Sequence, residues 1–170
     1  MTSITAPTGR TQTATALVLA VGMAGVVGTA LGFEHIGGYI PCKLCLEQRI
    51  PYYAGVPLMG LAFLSSSLRW PAALTRLLLF GGALLMLWGL YLGVFHAGVE
   101  WGWWAGPTDC AAVAAPAGDG NGILDAIDRY VPPACDKAAL RILGLSFAGW
   151  NVLASLGLAG LALRGAFARG

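Results

Sequence analysis

Four stretches of the chain contain no Asp, Glu, Lys or Arg: Ala14–Phe33, Ile50–Leu68, Leu77–Phe95 and Ile142–Leu163. At about 1.5 Å rise per residue, even the shortest of them nearly matches the ~30 Å hydrocarbon core of a bilayer as a helix. The pattern predicts an all-α membrane protein of four spans, about 14–33, 50–68, 77–95 and 142–163, forming a single domain over 1–170. Two loops, 34–49 and 96–141, then share one face of the membrane, and both tails share the other. The first stretch follows Arg10 as a secretory signal would, but its uncharged run exceeds the roughly 7–15 residues of a signal core, so it reads as a span.

Composition agrees, with 57% hydrophobic and 11% charged residues and a mean hydropathy of +0.71, far from a soluble domain. Charge adds orientation. Arg10, Arg69, Arg76, Arg164 and Arg169 lie in the tails and the 69–76 connection, without an acid among them. All eight acids, Glu34, Glu47, Glu100, Asp109, Asp119, Asp125, Asp128 and Asp136, lie in the other two loops. Lys43, Arg49, Arg129, Lys137 and Arg141 accompany them, so the basic count ties, and only the greater density of arginine in the tails favours cytoplasmic termini. The four cysteines, Cys42, Cys45, Cys110 and Cys135, all fall in the acid-bearing loops, and disulfides persist in compartments such as the bacterial periplasm. The net charge of +2 is explained by topology and implies no nucleic-acid partner.

Pro51 suits the first turn of the second span. Cys45 then lies near a positive helix end and the cations Lys43 and Arg49, which predicts a depressed thiol pKa at Cys45. In the second loop, Trp101, Trp103 and Trp104 read as an interfacial belt. Ile123, Leu124, Ile127, Tyr130 and Val131 fall within an arc of about 120° on a helical wheel, opposite Asp125, Asp128 and Arg129. This fits a short helix lying flat on the bilayer over 123–131, or equally a loop turn packed against the bundle, ended by Pro132-Pro133.

Pro41-Cys42-Lys43-Leu44-Cys45 is a CxxC, the spacing of a small redox-active ring. Four cysteines permit three pairings, and sequence alone does not choose among them. Proximity favours Cys42 with Cys45 and leaves Cys110 with Cys135. A structural staple is one alternative for the loop pair, although a CxxC gains little chain-entropy stabilisation as a staple. A zinc or copper site joined by His35 or His96 is another, but the wide spacing of the second pair departs from the usual tetrahedral pattern. Unaided, Arg49 reads as a snorkelling anchor, His96 as an interfacial histidine, and Asn151 as a hydrogen-bond donor to a neighbouring helix.

The segments Pro41-Cys42-Lys43-Leu44-Cys45-Leu46-Glu47-Gln48-Arg49, His96-Ala97-Gly98-Val99-Glu100-Trp101-Gly102-Trp103-Trp104, Cys135-Asp136 and Gly144-Leu145-Ser146-Phe147-Ala148-Gly149-Trp150-Asn151 together resemble the disulfide bond formation protein B (DsbB) family, from the first span to the last. The vitamin K epoxide reductases share a four-helix core but place their CxxC at a later span. The resemblance implies a four-transmembrane-helix bundle in the bacterial inner membrane. It would reoxidise a periplasmic DsbA-like, thioredoxin-fold oxidase and pass the electrons to the membrane quinone pool, ubiquinone before menaquinone, the established route that keeps the periplasm oxidising. It further implies that Cys110 takes the partner's attack with Cys135 as its mate, that Cys42 and Cys45 form the second pair, and that Cys45, Arg49 and His96 line the quinone site. Lys43 inside the CxxC and Gln48 before Arg49, where some members have an acid, are departures that remove no needed group.

Overall fold

The computed structural model describes residues 9–108, 110 and 134–168, and they are mostly helical. Four long helices form the body: α1 (Arg10–His35), α3 (Ile50–Ser67), α4 (Ala72–Glu100) and α5 (Phe147–Phe167). A short helix, α2 (Lys43–Glu47), precedes α3, and a two-stranded hairpin, β1 (Arg141–Ile142) with β2 (Leu145–Ser146), precedes α5. Three of the helices, α1, α4 and α5, are long and apolar enough to cross a membrane. Helix α3 is shorter at 18 residues, and carries Pro51 at its start, Pro57 inside and Ser65 to Ser67 at its end. The 123–131 segment read as a flat helix lies outside the described residues.

The helices pack as a ring, α1 on α3, α3 on α4, α4 on α5 and α5 back on α1, with the α4–α5 seam the most extensive. Leu19, Met23, Met59, Leu79 and Met86 are fully buried at its centre. In a lipid setting such contacts stabilise through close packing, and small residues bring the backbones together. Gly93 shows this at the α4–α5 seam: a Cβ there would stand 3.0 Å from Asn151 Nδ2 and 3.3 Å from the Val152 nitrogen. Side chain and backbone of α5 occupy the space a larger residue would need.

Two boundaries differ from the hydropathy pattern. Helix α4 runs on through Glu100, so His96 and Glu100 sit on a helix and are buried rather than in a loop. Helix α5 begins at Phe147, not Ile142, because Leu143 (φ 52°) and Gly144 (φ 83°) turn the chain into a hairpin pairing Arg141 with Ser146. Consecutive positive φ values are what a tight two-residue hairpin turn requires. Ser146 then caps α5, its hydroxyl accepting from the Gly149 N–H at 3.2 Å. At the far end of the bundle, Arg76 is buried and donates to the Ala166 and Ala168 carbonyls at 2.9 Å each, satisfying the C-terminal turn of α5. An arginine that the charge pattern counts toward topology thus also closes the bundle.

Candidate functional site

Short helix α2 organises the CxxC. Cys42 is its N-cap residue, and its sulfur accepts the backbone N–H of Cys45 at 3.3 Å. One helical turn brings the Cys42 and Cys45 sulfurs to 2.7 Å, with Cys42 buried and Cys45 partly open. The Cys42 thiol is lowered to about 5, chiefly by the hydrogen bond from the Cys45 thiol and further by His96, against the opposing effect of burial. Cys45 is pushed up, because its proton is the one held between the sulfurs and because it is buried; the Arg49 charge opposes this only weakly. This corrects the sequence expectation that Cys45 carries the depressed pKa. The relevant helix N-terminus is that of α2, which faces Cys42, rather than that of α3.

Behind Cys42 lies a buried polar set from α4. His96 Nε2 is 3.7 Å from the Cys42 sulfur and 3.8 Å from Glu100 Oε1, with both side chains 4% exposed. The other Glu100 oxygen is buried and has no hydrogen-bond partner among the described residues. The ring's Nδ1 meets Gln48 Nε2 at 2.7 Å. Gln48 continues across the bundle: its Oε1 accepts from Asn151 Nδ2 at 2.7 Å, and Asn151 Oδ1 accepts from the Tyr52 hydroxyl at 2.6 Å. Asn151 does bond neighbouring helices, as its place in the last span suggested.

Cys110 and Cys135 are joined in a disulfide that packs against Cys42, Leu44 and Val99 in one buried cluster. The reactive atoms of Cys42, His96 and Cys135 all lie within 4.8 Å of one another. The structure therefore brings the two cysteine pairs to one place. Of the loop pair, Cys110 is the more accessible, at 8% against 3%. Trp101, Trp103 and Trp104 form an exposed aromatic cluster next to it in sequence, with Trp104 stacked on Phe95 and its indole N–H donating to the Phe95 carbonyl at 2.8 Å.

On the opposite side of the CxxC, a cavity of about 610 Å³ opens between α1, α3 and α5. Val26, Phe33, Phe147, Trp150 and Ala154 supply apolar wall; Cys45, Gln48, Arg49, Tyr52 and Asn151 supply its polar groups. Volume and lining are those of a small-molecule site with a few convergent polar groups. Arg49 is held there by an ion pair with Glu34 and by the Ala30 carbonyl at 3.5 Å, which leaves further guanidinium N–H groups of its fork. Cys45 and Arg49 thus line one cavity, whereas His96 stands behind the sulfurs, at Cys42, and reaches the cavity only through Gln48. The sequence assigns no site role to Gln48, Tyr52 or Glu100; the polar pair Gln48-Arg49 next to the CxxC is the one local signal for them.

The chain is 34% identical over 153 residues to a disulfide bond formation protein B of Saccharophagus degradans, covering 85% of this chain and 86% of that one. It is 38% identical over 81 residues to a disulfide bond formation protein B of Ralstonia nicotianae, covering 47% and 46% respectively. No solved structure matches significantly. Residues 12–164 match the family model described as "Disulfide bond formation protein DsbB", and the chain belongs to that family of membrane disulfide oxidoreductases.

Proposed function

We propose that the protein is an inner-membrane thiol oxidase that reoxidises a periplasmic DsbA-like dithiol oxidase and delivers the electrons to membrane quinone. The observation that carries this reading is the placement of the CxxC between two partners: the loop disulfide on one side and the apolar cavity on the other. Net transfer is two electrons and two protons from a partner dithiol to a quinone. All four long helices span the bilayer in this reading, with both termini cytoplasmic and the cysteines periplasmic.

Each chain residue has a task that its surroundings support. Cys110, the less deeply buried residue of the pair, takes the partner thiolate and Cys135 leaves. Once the partner has departed as a disulfide, the Cys135 thiolate attacks Cys42 of an oxidised Cys42–Cys45 bond, a step suited to atoms within 4.8 Å. Cys45 leaves, and Cys110 closing on Cys135 expels Cys42, which restores the loop disulfide and reduces the CxxC. In the reduced pair the two sulfurs lie 2.7 Å apart and only Cys45 lines the cavity, so a Cys45 thiolate forms there when an acceptor in the cavity draws electron density from Cys45 and its proton passes to Cys42. Arg49 at the cavity edge would hold a carbonyl oxygen there, and the apolar walls suit a planar ring. A bound quinone, ubiquinone or menaquinone, would supply the two-electron acceptor.

Trapping tests the partner side. Native protein mixed with a reduced thioredoxin-fold partner that lacks its resolving cysteine is expected to hold it as a mixed disulfide through Cys110, with Cys135 as the thiolate expelled; a bond through Cys42 or none at all would contradict the route. The trio Cys42, His96 and Cys135 also favours a second reading, a thiolate–imidazole metal site in the reduced protein. Stoichiometric zinc or copper after purification would support that reading over the first.

A further inference from the structure

The hydrogens of the Gln48 network can be counted, and the count fixes one that no sequence reading assigns. Two backbone carbonyls set its direction. The Gly89 carbonyl lies 3.3 Å from Asn151 Nδ2, so that atom must be the amide nitrogen; turned over, Asn151 would put carbonyl against carbonyl. The remaining Asn151 hydrogen goes to Gln48 Oε1 at 2.7 Å, and Asn151 Oδ1 takes the Tyr52 hydroxyl. The Leu44 carbonyl, 3.1 Å from Gln48 Nε2, orients the second amide in the same sense. Gln48 then has one hydrogen left, and His96 Nδ1 lies 2.7 Å from it. Nδ1 must accept.

We propose that Gln48 is a positioning residue that, locked by Leu44 and Asn151, holds His96 as the Nε2–H tautomer and so dedicates the ring as a hydrogen-bond donor to the Cys42 sulfur. Among the described residues Nε2 has only acceptors before it, Cys42 Sγ at 3.7 Å and Glu100 Oε1 at 3.8 Å. When Cys42 carries charge, the N–H serves the sulfur; when Cys42 is in a disulfide, Glu100 remains as its acceptor. The inference rests on the reading of Cys42–Cys45 as a working redox pair and assigns how that pair is tuned. It also gives Gln48 two faces, since the side chain that holds His96 lines the cavity as well. Among the described residues, the other ionisable groups around Cys42 are Cys45 on α2, Glu100 on α4 and Lys43 in the first turn of α2, and the disulfide-bonded Cys135 approaches from the segment before β1.

The tautomer is directly observable. The chain has two histidines, and one is removed by His35→Gln, so ¹⁵N-histidine labelling of the full-length reduced protein in detergent reports His96 alone. The expected spectrum shows an unprotonated, pyridine-type Nδ1 and a protonated, pyrrole-type Nε2. Gln48→Met, similar in size but without a donor, is expected to give a mixture of tautomers. It should also slow Cys42 alkylation at pH 5 by about twofold to fivefold, as the thiolate fraction falls with a partial loss of the Nε2–H donor. A wild-type spectrum with the hydrogen on Nδ1 would overturn the proposal, as would an unchanged single tautomer in Gln48→Met. Neither result depends on partner trapping, so the proposal and the wider functional reading can fail separately.

Discussion

Replacing His96 by Phe removes the ring's donor while keeping an aromatic shape, and the consequence for Cys42 can be worked out from the geometry. In the native arrangement Cys42 is lowered to about 5, with the Cys45 thiol as the largest stabiliser of its thiolate and His96 contributing a hydrogen bond. A hydrogen bond to a charged group contributes roughly 1.5–3 kcal/mol. The 3.7 Å approach of Nε2 is long, which places this one at the lower end. About 1.4 kcal/mol corresponds to one pKa unit, so the Cys42 midpoint should rise to about 6 in His96→Phe. At pH 5 the thiolate fraction then drops about fivefold. The sign is clear: Cys42 is depressed, so its thiolate prevails above the midpoint and disappears as pH falls through it. The assay is the pH dependence of iodoacetamide alkylation of reduced protein in detergent, with Cys42 followed by peptide mass spectrometry. A midpoint that stays at about 5 in the variant would refute the role given to His96. A wild-type midpoint near the ordinary thiol value of about 8.5 would refute the whole assignment of the thiolate.

Other perturbations address the cavity and the seam. Arg49→Leu removes the only cation lining the cavity among the described residues, and is expected to raise the quinone KM by roughly tenfold or more, the loss of one charge-assisted hydrogen bond. Steady-state kinetics with a soluble quinone measures it; an unchanged KM would return Arg49 to the role of membrane anchor. Tyr52→Phe deletes a buried hydroxyl that bonds Asn151 at 2.6 Å and Ser155 at 2.9 Å, and should lower stability by about 1–3 kcal/mol in reversible unfolding. Gly93→Ala forces a methyl group to within 3.0 Å of Asn151 Nδ2 and is expected to destabilise by about 1–3 kcal/mol, read as a lower thermal midpoint.

Much of the architecture was legible because the relevant signals are long or local. Uncharged runs of bilayer length mark the helices, and the spacing of Cys42 and Cys45 marks the reactive turn. The parts that escaped are those in which short range or tertiary structure decides. Helix α2 has five residues, too few for any periodicity, yet its single turn makes Cys42 the N-cap and brings the two sulfurs to 2.7 Å. The hairpin at 141–146 was absorbed into the last span because Ile142 and Leu143 are apolar, and a Leu at positive φ leaves no mark in composition. Gln48 and Asn151 lie 103 residues apart, and nothing in a single sequence shows that their amides meet. The cavity is a property of three packed helices and has no linear signature. Glu100 carries no mark in the sequence that separates it from the loop acids, and it is the length of α4 that carries it inward.

The account stands on the claim that electrons leave through Cys45 into the cavity. The most direct measurement counts quinol formed against partner disulfide formed, using purified protein, a soluble quinone and a reduced thioredoxin-fold dithiol. Native protein is predicted to give one quinol per partner disulfide through many turnovers, and Cys45→Ala none. Full turnover in Cys45→Ala, or partner oxidation without matching quinol, would contradict it.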